Sequence, residues 1–261
     1  MINAQNAFSG KRRIWLSLGT GLLASCLLIF GTGDAVRSEP VRWMTVAMLL
    51  AALLVCLTML KRSLLAYSAF SHAGKRRLDR RIAAEGTARY VKLPAGGKGL
   101  DVGCGSGALT VACAKRNPEA QMLGIDHWEK HEAGCRLCHQ TAAEEHVRNV
   151  AFQVGNMRGL DFPDESFDAV TSNDAYHKAL GADRQTLLLE TLRVLKKGGV
   201  FAIHDRMSHS QYGDMEAFRR KLLEMGYESV EIFDTTSGMF MPRKEAKRLM
   251  PRGSTLLVGR K

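Results

Sequence analysis

A chain of 261 residues has room for one large domain, or for a medium domain with an appendage. Its net charge of +11 sits wholly at the front: residues 1–98 hold 15 Lys+Arg against 4 Asp+Glu, whereas residues 99–261 hold 22 of each sign. The later part therefore lacks the basic face that phosphate neutralisation needs, which argues against a nucleic-acid partner held by bulk charge.

The front end is read first. Ile14 to Gly33 and Trp43 to Leu60 are runs of twenty and eighteen residues without a charge, and each is about long enough to cross a ~30 Å hydrocarbon core as a helix. Asp34 to Arg42, with Pro40, makes a short loop between them, so residues 1–63 read as a membrane-anchor hairpin of two transmembrane helices, spans about 14–33 and 43–60. Lys11, Arg12 and Arg13 precede the first span, and Lys61 and Arg62 follow the second. The positive-inside rule then puts both ends in the cytoplasm, for a multi-pass protein of the plasma membrane. Two alternatives remain at this point: a buried globular hairpin, or a signal peptide ending at the lipoprotein-like Leu23-Ala24-Ser25-Cys26. Residues 64–98 form a helix-prone connector rich in Lys75, Arg76, Arg77, Arg80 and Arg81, a composition drawn to anionic lipid by about 1 kcal/mol per cation near the surface. Pro94, Gly96 and Gly97 break it.

From Gly99 onward, strand patterns alternate with helical ones, which predicts a parallel sheet covered on both faces. The strands are read at Leu100–Val102, Gln121–Ile125, Val150–Val154, Asp168–Ser172 and Val200–His204, and two more follow near the end at Val230–Phe233 and Thr255–Gly259, separated by Pro242 and Pro251. The stretch GLDVGCGSGALT, Gly99 to Thr110, organises the rest. A short strand runs into Gly103, Gly105 and Gly107, and a helix follows from Ala108 to Arg116. Glycine there lets the backbone turn with φ > 0 and approach a ligand closely, while the helix start offers its free amides. Gly103, Gly105 and Ala108 also satisfy the looser dinucleotide fingerprint. Asp101 weighs against it, because a carboxylate two residues before the first glycine repels a pyrophosphate and attracts a cation.

The spacing D-x-G-x-G-x-G resembles motif I of the class I S-adenosylmethionine (SAM)-dependent methyltransferases, whose cofactor carries an ammonium, a sulfonium and no phosphate. The resemblance covers residues 99–261 and hardly touches the first 93. It implies a Rossmann-like, seven-stranded, mostly parallel sheet, with SAM as cofactor. Asp101, Gly103, Cys104, Gly105 and Gly107 would form the loop beneath it. Asp126, 23 residues past Gly103 at the end of Gly124-Ile125-Asp126, would take the ribose hydroxyls. His127, Asn156 and Met157 would lie by the adenine, with Asn156 standing where the family often has Asp, and Asn173 by the methionine end. LDFPDESFD, 160–168, and LKKGG, 195–199, resemble the family's links into its fourth and fifth strands.

Beyond the fourth strand, His177 is the candidate general base, since imidazole titrates near neutrality, with Tyr176 beside it. A purely structural His177 is equally compatible, because methyl transfer to a good nucleophile needs only positioning. His204 and Asp205 are weaker candidates on the acceptor side. Cys135-x-x-Cys138-His139 matches a haem-attachment signature, and His127, His131, Cys135 and Cys138 recur at helical spacing. One helix cannot wrap a tetrahedral zinc, so no metal is expected. The reading is a membrane-anchored SAM-dependent methyltransferase acting on a small-molecule or lipid acceptor. Its rival is a SAM-binding regulatory or assembly protein without catalysis.

Overall fold

The computed structural model describes residues 81–128 and 131–261, together with residues 39, 43, 47 and 50–59 near the front. The first expected span and residues 60–80 lie outside the described residues, and so does most of the expected hairpin. Residues 51–59 are helical with every side chain exposed, Leu53, Leu54, Val55 and Leu57 among them. Among the described residues no helix is long and apolar enough to cross a membrane, so the two transmembrane helices expected from the sequence are not shown. The chain divides into two compact units, Met1–Lys75 and Arg76–Lys261; the second is described here.

Its first described residues, 81–88, are helical and are labelled helix α1, ahead of the glycine loop. Ala83, Ala84, Thr87 and Ala88 are buried, and Ala84 and Ala88 pack with Leu109, Ala112 and Cys113 of the following helix. Small alanine side chains let that helix lie close to its neighbours. The end of the basic connector is thus part of the packed unit.

The elements then follow as β1 (Lys98–Val102), α2 (Ala108–Arg116), β2 (Gln121–Asp126), α3 (His131–Glu144), β3 (Val150–Val154), β4 (Phe167–Asn173), α4 (Arg184–Arg193), β5 (Leu195–Arg206), α5 (His209–Tyr212), α6 (Met215–Glu224), β6 (Ser229–Asp234), α7 (Arg243–Leu249) and β7 (Ser254–Arg260). Short 3-10 turns sit at Tyr176–Lys178 and Thr235–Ser237. One seven-stranded sheet runs β3-β2-β1-β4-β5-β7-β6. The first five strands are parallel, and β7 is antiparallel to both β5 and β6. The expected mixed, mostly parallel sheet is the one observed.

Side-chain alternation along the strands feeds two cores. Val170, Phe201, Ile203 and Leu257 point into one, with Leu188 and Leu192 of α4 and Phe218 and Leu222 of α6. Ala169, Ala202, Leu256 and Val258 point into the other, with α1 and α2. Asp183 and Asp214 cap α4 and α6 by accepting from Thr186 N and Ala217 N, each at 3.0 Å. The LKKGG stretch, expected as a turn, lies inside β5. Leu195 already pairs with Phe167, and the ladder then shifts register before Ala169 meets Val200. Gly198, at φ 75°, takes up that irregularity.

The sheet's far edge has little slack. A Cβ on Gly259 would stand 2.1 Å from the Ser229 carbonyl oxygen and 2.5 Å from the Phe201 ring. Gly259→Ala should therefore destabilise the protein by about 1–3 kcal/mol, the usual cost of overpacking. Urea unfolding of the two proteins measures it, and an unchanged midpoint would refute this close approach of β6 and β7.

Candidate functional site

The order β2-β1-β4 places the carboxyl ends of three strands side by side, and a cleft of about 480 Å³ opens there, within the ~300–1,000 Å³ typical of small-molecule sites. Its floor is the glycine loop. Gly103 and Gly105 adopt φ of 72° and 58°, conformations that carry little cost only without a Cβ. At Gly103 a Cβ would also strike that of Ala175, 2.4 Å away, whereas the space beside Gly105 is open. A ligand can therefore press directly on the backbone at Gly105.

The loop is tied down on both sides. Gly103 N and Cys104 N donate to the Ile125 carbonyl at 2.8 and 3.0 Å. Gly105 N donates to Asp126 Oδ2 at 2.7 Å. Gly105 O accepts from Trp128 Nε1 at 3.2 Å and from the Cys138 thiol at 3.3 Å. Cys138, half of the haem-like signature, is thus a buried brace under the loop. Its hydrogen bond to Cys104, with burial next, raises the Cys104 thiol pKa well above the ordinary range.

Asp101 is fully buried beneath this turn. Thr110 Oγ1 donates to its Oδ2 at 2.6 Å, and Thr171 Oγ1 to its Oδ1 at 3.1 Å. Burial outweighs those bonds and pushes the carboxyl up to about 6. Neither threonine was a sequence candidate. The one signal for Thr171 was a polar Thr-Ser pair inside an apolar strand.

Asp101, Gly103, Cys104, Gly105, Asp126, His127, Asn156, Met157 and Asn173 all line the cleft, so the structure brings these nine together. Gly107 does not; at φ 77° it is the N-cap of α2. Asn156 Oδ1 accepts from Arg158 N at 3.0 Å, closing a turn of its own. Arg158, Lys178 and Leu180 also line the cleft and were not anticipated.

His177 and Tyr176 stand behind the cleft wall rather than on it. Tyr176 is fully buried, its hydroxyl 2.6 Å from Thr191 Oγ1, and burial raises its pKa. His177 Nδ1 lies 2.6 Å from Asp205 Oδ1. Burial alone would raise the Asp205 carboxyl, but the His177 ring and backbone bonds hold it below the usual range. An ionised Asp205 accepts only, so the imidazole proton sits on Nδ1 and Nε2 accepts from the Arg206 guanidinium. Arg206 must move before Nε2 can take a proton from anything else. Asp174, His177 and Asp205 hold their ligand atoms within 4.8 Å of one another, the metal-capable group among the described residues. Arg206 Nε at 3.5 Å and Lys178 Nζ at 3.9 Å from Asp174 already bring cations to it.

A strand order with β1 between β2 and β4, a glycine turn at the carboxyl end of β1 and an antiparallel β7 match the class I methyltransferase fold. Residues 100–203 match the family model for a methyltransferase domain. An uncharacterized methyltransferase of Schizosaccharomyces pombe is 35% identical over 104 residues, covering 38% of this chain and 36% of that protein. A demethylmenaquinone methyltransferase of Symbiobacterium thermophilum is 38% identical over 104 residues, 39% of each chain. The chain thus spans well under half the length of these curated relatives. Among solved structures, a chain from the complex of the Haloferax volcanii Trm112 methyltransferase activator with a methyltransferase matches with a TM-score of 0.51. At 22% identity, over 75% of this chain and 96% of that one, it shows the shared fold.

The raised Asp101 pKa makes a stability prediction. Between about pH 4 and pH 6 the unfolded chain has given up this proton and the folded chain has not, so Asp101 stabilises at the acid end of the window. That contribution is lost as pH rises through about 6, on the order of 2–3 kcal/mol. The stability difference between wild type and Asp101→Asn in urea should therefore move against wild type from pH 4 to pH 7. A difference flat with pH would refute the buried, late-ionising carboxyl.

Proposed function

We propose that the chain is an active methyltransferase that takes SAM in the cleft at β1, β2 and β4 and methylates a lipophilic, membrane-held acceptor from the cytoplasmic face. The observation that carries the cofactor is the pairing of two carboxylates, Asp101 and Asp126, on a glycine turn that lets a ligand reach the backbone. That donor set fits a cationic nucleoside and opposes a pyrophosphate. When bound, SAM supplies a methyl group on a positively charged sulfur. Asp126, already oriented by Gly105 N, would accept from the ribose hydroxyls. Asp101 would lend negative charge from below, and Met157 apolar contact. Past β4, Asp205 orients the His177 ring and Arg206 covers its Nε2; an acceptor that draws Arg206 away would expose that nitrogen as a base. The covered nitrogen is also what supports the second reading, a domain that binds SAM without turnover.

The anchoring part of the proposal rests on the two uncharged runs and their basic flanks, and on the exposed apolar side chains at 51–59. Holding the domain beside a bilayer raises the effective concentration of a membrane acceptor and does nothing comparable for a soluble one. A quinone is one such acceptor, and the name of the demethylmenaquinone methyltransferase relative supports that class.

Titration calorimetry of the full chain tests the cofactor. Asp126→Ala should weaken SAM by about 1–3 kcal/mol through lost charged hydrogen bonds. Because a cation beside Asp101 favours its ionised form, affinity should rise with pH from 5 to 7, by about tenfold, and level off. Asp101→Asn should flatten that rise. Unchanged SAM affinity in both variants would overturn the site.

The acceptor is tested in liposomes carrying lipid extract. Formation of S-adenosylhomocysteine with labelled lipid is expected from the full chain, and well below that from residues 76–261 alone. Equal methylation of a water-soluble acceptor by both, with no lipid labelled, would refute the membrane acceptor; no turnover with any acceptor would favour the non-catalytic reading.

A further inference from the structure

Residues 99–261 carry equal numbers of acids and bases, but not evenly along the chain. The connection between β6 and β7, residues 235–253, holds five bases, Arg243, Lys244, Lys247, Arg248 and Arg252, against Glu245 alone, while the rest of that stretch holds 17 bases and 21 acids. A strongly basic piece is thus set into a net-acidic remainder. Its cations are also uncommitted. Arg243, Lys244, Lys247 and Arg252 are all exposed. Lys196, Arg219 and Arg260 elsewhere each face a carboxylate, of Asp168, Glu216 and Glu228, whereas among the described residues none of those four cations has such a partner.

The place of this connection in the sheet decides what it can do. Ser254 opens β7 opposite Arg206, the last residue of β5, and Asp234 closes β6 opposite Thr255. Residues 235–253 therefore emerge at the edge where the parallel strands end, the same edge that carries the cleft at β1, β2 and β4. One side of α7 is held down. Ala246 and Met250 are buried with Met241 against Ala83 of α1, and the Phe240 ring lies so close to α1 that a Cβ on Gly86 would stand 2.3 Å from it. That leaves the exposed Lys244 and Lys247 on the sides of the helix away from this packing. In sequence, α1 follows directly on Lys75, Arg76, Arg77, Arg80 and Arg81. The packing of α7 on α1 thus brings the basic insertion to the helix into which the basic connector runs.

Long, unpaired cations on a short helix suit a diffuse field of negative charge better than one shaped ligand, and each adds about fivefold to partitioning onto an anionic membrane surface. A nucleic acid would need the basic face to extend beyond the insertion, where acids outnumber bases; a bilayer touches only the edge turned to it. We propose that the β6–β7 insertion, with α7 at its centre, is a docking surface for an anionic bilayer that turns the carboxyl edge of the sheet, and with it the cleft, toward the lipid. This rests on the membrane reading of the front end and adds which face of the domain meets the membrane. The front end holds the chain at the bilayer, and α7 sets its orientation there.

Lysine footprinting of the full chain reconstituted in vesicles tests this, with Lys197, exposed at the amino-terminal end of β5 on the opposite edge, as the internal reference. Acylation of Lys244 and Lys247 relative to Lys197 should be slower by about threefold or more in phosphatidylcholine vesicles containing phosphatidylglycerol than in phosphatidylcholine alone. The difference should vanish in about 1 M salt, which screens charges beyond ~3 Å. An equal ratio in both vesicles would refute the surface. Arg243→Glu combined with Arg252→Glu leaves both reporter lysines in place and lies outside the cleft. It should abolish the protection while melting temperature and S-adenosylhomocysteine affinity stay as in wild type, and protection that persists in this variant overturns the proposal. If the full chain inserts into neither vesicle, the anchoring reading has failed, and the surface is then judged with vesicles added from outside: protection by phosphatidylglycerol supports it, and none refutes it. Protection by a single-stranded RNA and not by phosphatidylglycerol would refute it as well.

Discussion

The glycine turn after β1 can exist only because it is held from three directions at once, and most of the site follows from that constraint. Below it, Asp101 is buried on two threonine hydroxyls contributed by α2 and β4. Beside it, the end of β2 accepts two loop amides through Ile125 O and a third through Asp126. On the outer side, Trp128 and Cys138 fasten the Gly105 carbonyl. Each tie comes from a different element, so the loop conformation reports on the register of the whole β2-β1-β4 core. A loop held this way can present bare backbone to a ligand without collapsing, which is what pre-organisation requires.

The same strand ends set the charges around the cleft. Asp101 and Asp126 belong to β1 and β2, whereas Lys178 follows β4 and Arg206 ends β5. The Asp174 carboxylate on the β4 side is met by Arg206 and Lys178. The cleft is thus lined by acids at or just past the ends of β1, β2 and β4, with Arg158 and Lys178 as its lining cations.

Much of this was legible in the sequence because it depends on local rules. The strand of Leu100–Val102, the left-handed glycines and the acid ending β2 are requirements of a turn and its immediate neighbours, and the structure places them as the spacing suggested. Partners remote in sequence were not legible. Thr171 meets Asp101 across 70 positions, and Ser254 meets His204 across 50; no periodicity announces such pairs. His204 read as a weak acceptor-side candidate because its position at a strand end was visible and its burial was not. His177 read as an accessible base for the same reason, although Asp205 and Arg206 enclose its ring. The alanines of α1 read only as part of the basic, helix-prone connector, because an alanine stripe carries little hydrophobic signal until a neighbouring helix packs on it.

The acceptor side differs in kind from the cofactor side. Around SAM's expected place, backbone groups do much of the work, and backbone requirements leave marks such as glycine. Past β4 the wall is made of side chains on one short segment, pinned by Tyr176 to Thr191 and by His177 to Asp205. Immediately beyond these anchors Leu180, 82% exposed, stands on the cleft rim next to Lys178 and Arg158. The Arg158 guanidinium donates to the Leu180 carbonyl, so the backbone beneath that exposed leucine is fastened to the segment after β3. The anchors keep that rim in place whatever the acceptor is, so acceptor choice can change through a few exposed positions while the glycine turn and its carboxylates stay as they are.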